Sequence, residues 1–261
     1  MKKVLFLFLL VIGFFGGFLN ASSLYEKLIN KETISVGTEG IYPPFTYHNK
    51  EGKLTGYDVE VARELAKELG VKIKFHETSW DIMLTGLKSG RFDMVANQVS
   101  LTTKKRQATF DKSLPYSYSG TIMLVRKDEN RIKDIKDIKD IKGLKAANTL
   151  SSTYGEIASK YDAQIVSVDS MAQALLLVAQ KRADLTLNSS LAILNYLNTH
   201  KNNPFKIAWE SKEKDGGASF VINKHQEKAL ELINQAMQRL IDKGVLKRLG
   251  EQFFGKDVSQ P

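Results

Sequence analysis

The chain has no cysteine among its 261 residues, and only 5 prolines, 4 histidines and 2 tryptophans. Without cysteine it can form no disulfide, no thiolate metal site, no thiol nucleophile and no lipid anchor on a cysteine. The histidines, His48, His76, His200 and His225, are scattered without the spacing of a metal pair, so they read as surface or strand-end side chains and no metal or other cofactor is expected. Beyond residue 21 there is no glycine-rich phosphate loop, no Gly-x-Ser-x-Gly elbow and no His-Glu-x-x-His pair. Nor does an apolar run of membrane-spanning length follow Leu19. Against these absences, 43% hydrophobic and 26% charged residues describe an ordinary folded chain.

The formal charge is +9, but basic and acidic residues alternate along most of the chain. The densest stretch, Lys133 to Asp140, is close to neutral and reads as a solvated connector. Lys104-Lys105-Arg106 is a clean basic cluster but a short one, so no nucleic-acid partner is expected. At the start, Lys2 and Lys3 precede an apolar run from Val4 to Leu19, followed by Asn20-Ala21-Ser22. A basic start, an apolar middle and a small-residue exit describe a secretory signal peptide over 1–21, cleaved after Ala21. Export without a lipid anchor is useful where a second membrane retains the product, which points to the periplasm.

Elements alternate along the remainder. A helix is predicted over Tyr57 to Leu69, with Val61, Ala62, Leu65 and Leu69 on one face and Gly70 as its stop. A strand precedes it at Ile34–Thr38, then a loop holding Pro43-Pro44. Strands follow near Val71–Phe75, Phe92–Ala96, Tyr118–Val125, Lys145–Asn148, Gln164–Val168, Asp184–Leu187 and Phe205–Trp209, separated by helices, and a long amphipathic helix spans His225 to Asp242. Such alternation implies an α/β fold with largely parallel sheets. One internal echo stands out. Leu84 to Asp93 and Leu175 to Asp184 share Leu, Arg and Asp at matching offsets, and each enters a strand finishing at an asparagine, Asn97 or Asn188. Either this is a common helix–stop–strand junction, or the chain holds two similar α/β lobes whose strand ends face a shared cleft.

The residues with chemistry suit a zwitterion. A guanidinium fork holds a carboxylate by two charge-assisted bonds, a carboxylate accepts an ammonium, and aromatic walls exclude water. Arg106, Glu39, Tyr42 and Trp80 supply those types. Each also has a plainer reading: a solvated charge, a turn carboxylate, or core aromatics.

Several segments carry a family resemblance: Thr38–Phe45, Leu54-Thr55-Gly56-Tyr57-Asp58-Val59-Glu60-Val61-Ala62, Phe92-Asp93 with Ala96-Asn97-Gln98, Pro115–Gly120, and Arg182-Ala183-Asp184. Together they resemble the family 3 amino-acid solute-binding proteins of ABC importers. Thr38-Glu39-Gly40, Ala96-Asn97-Gln98 and Tyr118-Ser119-Gly120 look most like the cystine-binding branch. The resemblance implies a type II periplasmic binding protein of two α/β lobes, 22–117 plus 217–261 and 121–212, joined by two hinge crossings near 118–120 and 213–216. It further implies aromatic walls at Tyr42 and Trp80, lobe-one contacts at Asn97, Gln98 and Ser100, and a carboxylate-binding arginine at Arg106. Thr149, Ser152 and Thr153 would serve at a helix start of lobe two, and Asn188 and Ser189 at its second loop.

The implied ligand is a polar amino acid, L-cystine first and cysteine or a related sulfur amino acid second. The implied partners are an inner-membrane ABC permease and its ATPase, with the binding protein a monomer and not an enzyme. There are two departures from the family pattern. Ser100–Arg106 is one residue longer than usual, which lets Lys105 compete for the arginine's place. Ser189 stands where an aspartate commonly takes the ligand's ammonium, so Glu39 becomes the main ammonium partner or the ligand is not a standard free amino acid. Other readings of the same scaffold are a cyclohexadienyl dehydratase-like enzyme and a ligand sensor or antigen without transport.

Overall fold

A computed structural model describes residues 22–132 and 137–261; the expected signal peptide and residues 133–136 of the charged connector lie outside the described residues. The first half of the described chain runs α1 (Leu24–Ile29), β1 (Thr33–Thr38), β2 (Ile41–Tyr42), β3 (Thr46–His48), β4 (Leu54–Thr55), α2 (Tyr57–Leu69), β5 (Lys72–Glu77), α3 (Trp80–Lys88), β6 (Met94–Val95), α4 (Lys104–Thr109) and β7 (Phe110–Lys112). The chain then crosses to β8 (Thr121–Arg126), β9 (Lys145–Asn148), α5 (Thr153–Lys160), β10 (Gln164–Ser167), α6 (Met171–Ala179), β11 (Leu185–Ser189), α7 (Ser190–Thr199) and β12 (Phe205–Glu210). It returns through β13 (Val221–Asn223), α8 (Glu227–Asp242) and α9 (Val245–Phe254).

Two five-stranded sheets result, ordered β5-β1-β6-β13-β7 and β10-β9-β11-β8-β12. In the first, β1 is parallel to β5 and β6, while β13 runs antiparallel between β6 and β7. In the second, β9 is parallel to β10 and β11, and β8 runs antiparallel between β11 and β12. The antiparallel strand in each sheet is the one that has just arrived from the other. The two crossings lie side by side: the Ala218 N–H donates to the Ser117 carbonyl at 2.8 Å, and the Asp215 N–H to the Ser119 carbonyl at 2.8 Å.

The echo has a physical basis in this topology. The two segments end α3 and α6 and lead into β6 and β11, which hold the same place in their sheets. The Asp93 N–H donates to the Ser35 carbonyl at 2.9 Å while its carboxylate takes the Ser35 N–H at 2.8 Å. Asp184 repeats both bonds with Lys145, at 2.8 and 2.9 Å. In each lobe the aspartate thus clips the incoming strand to its neighbour.

Both faces of each sheet are covered. In the first lobe α2, α8 and α9 bury one apolar cluster, and Met83, Leu87, Phe92 and Phe110 form another. The amphipathic spacing of α2 puts Val61, Ala62, Leu65 and Leu69 inside, and Gly70, at φ +70°, stops the helix with its N–H on the Ala66 carbonyl. In the second lobe Leu175, Val178 and Ile193 fill one side of the sheet, and Met123, Ala158 and Leu187 the other. Two expectations differ. The proline loop contains β2, which pairs with β3. The connector is not wholly solvated, because a 3-10 turn over Ile138–Ile141, closed by Asp137 and Asp140 as a capping box, buries both isoleucines.

Candidate functional site

The strand ends of the two lobes face each other across a cleft of about 720 Å³, counted with its open mouth. From the first lobe it is lined by Glu39, Ile41, Tyr42, Trp80, Asn97, Gln98 and Ser100, and from the second by Asn148, Thr149, Ser152, Thr153, Tyr154, Ser170, Met171, Ala174 and Asn188. Asp215, on the second crossing, closes the floor. Ten of the twelve residues singled out from the sequence line this space; Arg106 and Ser189 stand one layer behind it.

Glu39 follows β1 and is clamped by Asn97. Its N–H donates to Asn97 Oδ1 at 2.8 Å, and Asn97 Nδ2 donates to Glu39 Oε2 at 2.6 Å. Among the described residues Oε1 accepts no hydrogen bond, so half of the carboxylate remains available to the cleft. Loss of solvent pushes this carboxyl up to about 7, the Asn97 hydrogen bond opposes the rise, and the nearby Asp81 charge adds to it. Gln98 sits at φ +51°, held there by Asp58 in the first turn of α2. Asp58 takes the Gln98 N–H at 2.6 Å, Gln98 Nε2 at 2.7 Å and the Tyr116 hydroxyl at 3.0 Å. Burial pushes Asp58 up to about 7, against the pull of the Gln98 bonds.

Arg106 differs from its expected place. It is buried on α4 while Lys105 is exposed, so Arg106 is the residue turned inward. Its guanidinium is not among the groups lining the cleft, and both of its Nη atoms are engaged elsewhere. Nη1 donates to the Ser100 carbonyl at 3.2 Å and to Thr153 Oγ1 at 3.1 Å, and Nη2 to the Ser151 carbonyl and to Glu156 Oε1 at 3.1 Å. Three of the four partners belong to the opposite lobe, which makes Arg106 a latch across the mouth. Burial lowers its pKa and the Glu156 charge opposes that. Two further contacts join the lobes: the Tyr42 hydroxyl donates to Asn188 Oδ1 at 2.6 Å, and the Ser151 hydroxyl to Asp81.

Ser189 also lies behind the wall. It is 1% exposed, and its hydroxyl is 2.6 Å from that of Ser119 on the first crossing. The Ser119 N–H in turn points at Asp215 Oδ1, at 3.4 Å. Sequence reasoning missed Asp215 as a cleft residue and placed it only within the second hinge crossing. It also missed Tyr154 and the supporting role of Asp58, although Asp58 falls inside a quoted motif.

The helix starts of the second lobe set the other polarity. Ser152 caps α5 by accepting the Gly155 N–H at 3.0 Å, and Thr153 and Tyr154 occupy the first turn, where N–H groups have no intrahelical acceptor. The cleft therefore offers two carboxylates, aromatic rings and a donor-rich helix start. No three metal-ligating side chains cluster among the described residues, and no helix there is long and apolar enough to cross a membrane.

Comparison with known proteins agrees with this geometry. The family of bacterial extracellular solute-binding proteins, family 3, matches residues 34–256. The chain is 43% identical to the L-cystine-binding protein TcyA of Bacillus subtilis, over 91% of this chain and 87% of that one. The L-cystine solute receptor of Neisseria gonorrhoeae, in its unliganded open conformation, is 54% identical over 92% of this chain and 100% of its own, with a TM-score of 0.62. An ancestral arginine-binding protein bound to arginine is 29% identical over 85% of this chain and 98% of its own, yet superposes better, at 0.78. The better match to the liganded relative, despite lower identity, accords with lobes drawn together by Arg106 and Tyr42. This chain belongs to the bacterial extracellular solute-binding proteins of family 3, as a binding protein of amino-acid ABC transporters.

Proposed function

We propose that the cleft captures a polar amino acid, L-cystine first and cysteine or a related sulfur amino acid second. Its two lobes would close about the crossings near 118–120 and 213–216. The observation that carries this reading is the pairing of a half-free carboxylate, Glu39, with a donor-rich helix start on the facing lobe. In this reading Glu39 takes the ammonium, Tyr42 and Trp80 flank the ligand, and Asn97, Gln98 and Ser100 hold it on lobe one. The carboxylate lies against Thr149, Ser152 and Thr153, and Arg106, bonded to Thr153 Oγ1, brings its positive charge to the same end. Asn188 closes over it, backed by Ser189. The names of the cystine-binding relatives support the choice of ligand. Ligand stabilises the closed form by its preferential affinity for it. The closed form then docks on a membrane permease driven by an ATPase. The protein acts as a monomer in the periplasm, after removal of residues 1–21.

Calorimetric titration against a panel of amino acids tests this: L-cystine is expected to bind most tightly, and no heat from any member would overturn the reading. A carboxyl near neutrality is also what a general acid requires, so Glu39 gives the dehydratase alternative one supporting feature. As a non-catalytic protein, the chain is expected to release no phenylpyruvate from prephenate.

A further inference from the structure

Resting on the amino-acid reading above, we propose that Asp215 is a second ammonium acceptor and that the cleft is built for a ligand with two α-ammonium groups. Asp215 reaches the floor of the cleft from the second crossing, so both lobes hinge around it. Its Oδ1 takes the Gly217 N–H at 3.0 Å and faces the Ser119 N–H at 3.4 Å, which fixes the carboxylate. Its Oδ2 accepts no hydrogen bond among the described residues. Glu39 has the same division, with one oxygen held by the protein and one free. Tyr42 and Tyr154, whose hydroxyl pKa values the Asp215 charge helps to raise, line the same cleft as Asp215.

The pairing of acceptors with ammonium donors carries this assignment. Glu39 and Asp215 line the cleft, and among the described residues no lysine, arginine or histidine does. Lys112, which is not a lining residue, attracts Asp215, its Nζ lying 3.5 Å from the Gly216 carbonyl. A ligand with one ammonium satisfies one carboxylate and strands the other in a closed cleft, which is costly. A ligand with two α-amino-acid heads gives each carboxylate an ammonium partner, while its own carboxylates turn to N–H and hydroxyl donors such as those at the α5 start. Ser189, bonded to Ser119 beside Asp215, contributes a hydroxyl and no charge, so the crossing supplies the anion there. The ligand class is the diamino dicarboxylic acids with a short linker, such as L-cystine, cystathionine and diaminopimelate.

The test is calorimetry on the wild type and on Asp215→Asn, with L-cystine, cystathionine and the one-headed S-methyl-L-cysteine. Asparagine keeps Oδ1 for Gly217 and Ser119, so the fold is preserved and only the charge is lost. The two-headed ligands are expected to weaken about ten- to a hundredfold while S-methyl-L-cysteine changes less than about threefold. Glu39→Gln is expected to weaken all three. If Asp215→Asn weakens all three equally, or the wild type binds S-methyl-L-cysteine as tightly as L-cystine, the two-headed assignment is overturned and amino-acid binding stands. If the wild type binds none of them, the amino-acid reading itself fails.

Discussion

Replacing Arg106 by alanine separates a latch from a bystander. The guanidinium bonds to the Ser151 carbonyl, Thr153 Oγ1 and Glu156 exist only when the lobes meet, whereas its bond to Ser100 stays within lobe one. A bond from a charged donor contributes about 1.5–3 kcal/mol, and an ion pair with a partner as exposed as Glu156, at 36%, adds at most about 1 kcal/mol. Because contacts sharing one side chain are not additive, the closed state should lose about 3–5 kcal/mol. That is roughly two to four decades of ligand affinity. Ligand-free Arg106→Ala should still fold. Calorimetry reads the affinity, and small-angle scattering reads whether ligand still compacts the molecule. Binding within threefold of the wild type, with normal compaction, would refute the latch. A Lys105→Ala variant should behave as the wild type, since Lys105 is exposed.

Three further outcomes follow from the site. Burial raises Glu39 and Asp58 from the ordinary carboxylate range to about 7, so between about pH 5 and 7 the folded state holds protons that the unfolded chain has released. Stability of the ligand-free protein therefore falls as pH rises through that window, while affinity for an ammonium ligand rises as Glu39 ionises. Thermal midpoints with and without L-cystine check both slopes, and a ligand-free midpoint that climbs from pH 5 to 7, unchanged by Glu39→Gln, contradicts them. Of the two tryptophans, Trp80 lines the cleft and Trp209 lies on β12, so ligand-induced fluorescence change should vanish in Trp80→Phe and persist in Trp209→Phe. Ser189→Asp puts a second carboxylate beside Asp215, in a site 1% exposed. It should lower the thermal midpoint without tightening binding at pH 7, and tighter binding would assign the ammonium to position 189 instead.

Long, periodic elements were legible in the sequence. The α2 helix declares itself through four apolar residues at helical spacing and a glycine stop, and the repeated Leu, Arg and Asp offsets, open in the sequence between a common junction and two lobes, fall at equivalent strands of the two sheets. Short elements were not: β7 and β13 have three residues each, too few to show alternation. The α4 helix, Lys-Lys-Arg-Gln-Ala-Thr, has no apolar face and reads as a basic patch, and only the fold shows that one of its charges turns inward. The connector hid Ile138 and Ile141 among charges. Most of the cleft lining lies at strand ends and helix starts, where local motifs point. Asp215 escaped because its role depends on a chain return from the second lobe that no local pattern encodes, and the bonds of Arg106 to the other lobe escaped because their acceptors lie some fifty residues away in the chain, the Glu156 bond having a separation of 50.

A crystal structure of the protein grown with L-cystine tests the account most directly. The account predicts one cystine enclosed between the lobes, an ammonium on the free oxygen of Glu39, the other on that of Asp215, and Tyr42 and Trp80 against its sides. A cystine bound elsewhere on the surface, or a cleft whose two carboxylates touch no ammonium, would contradict it.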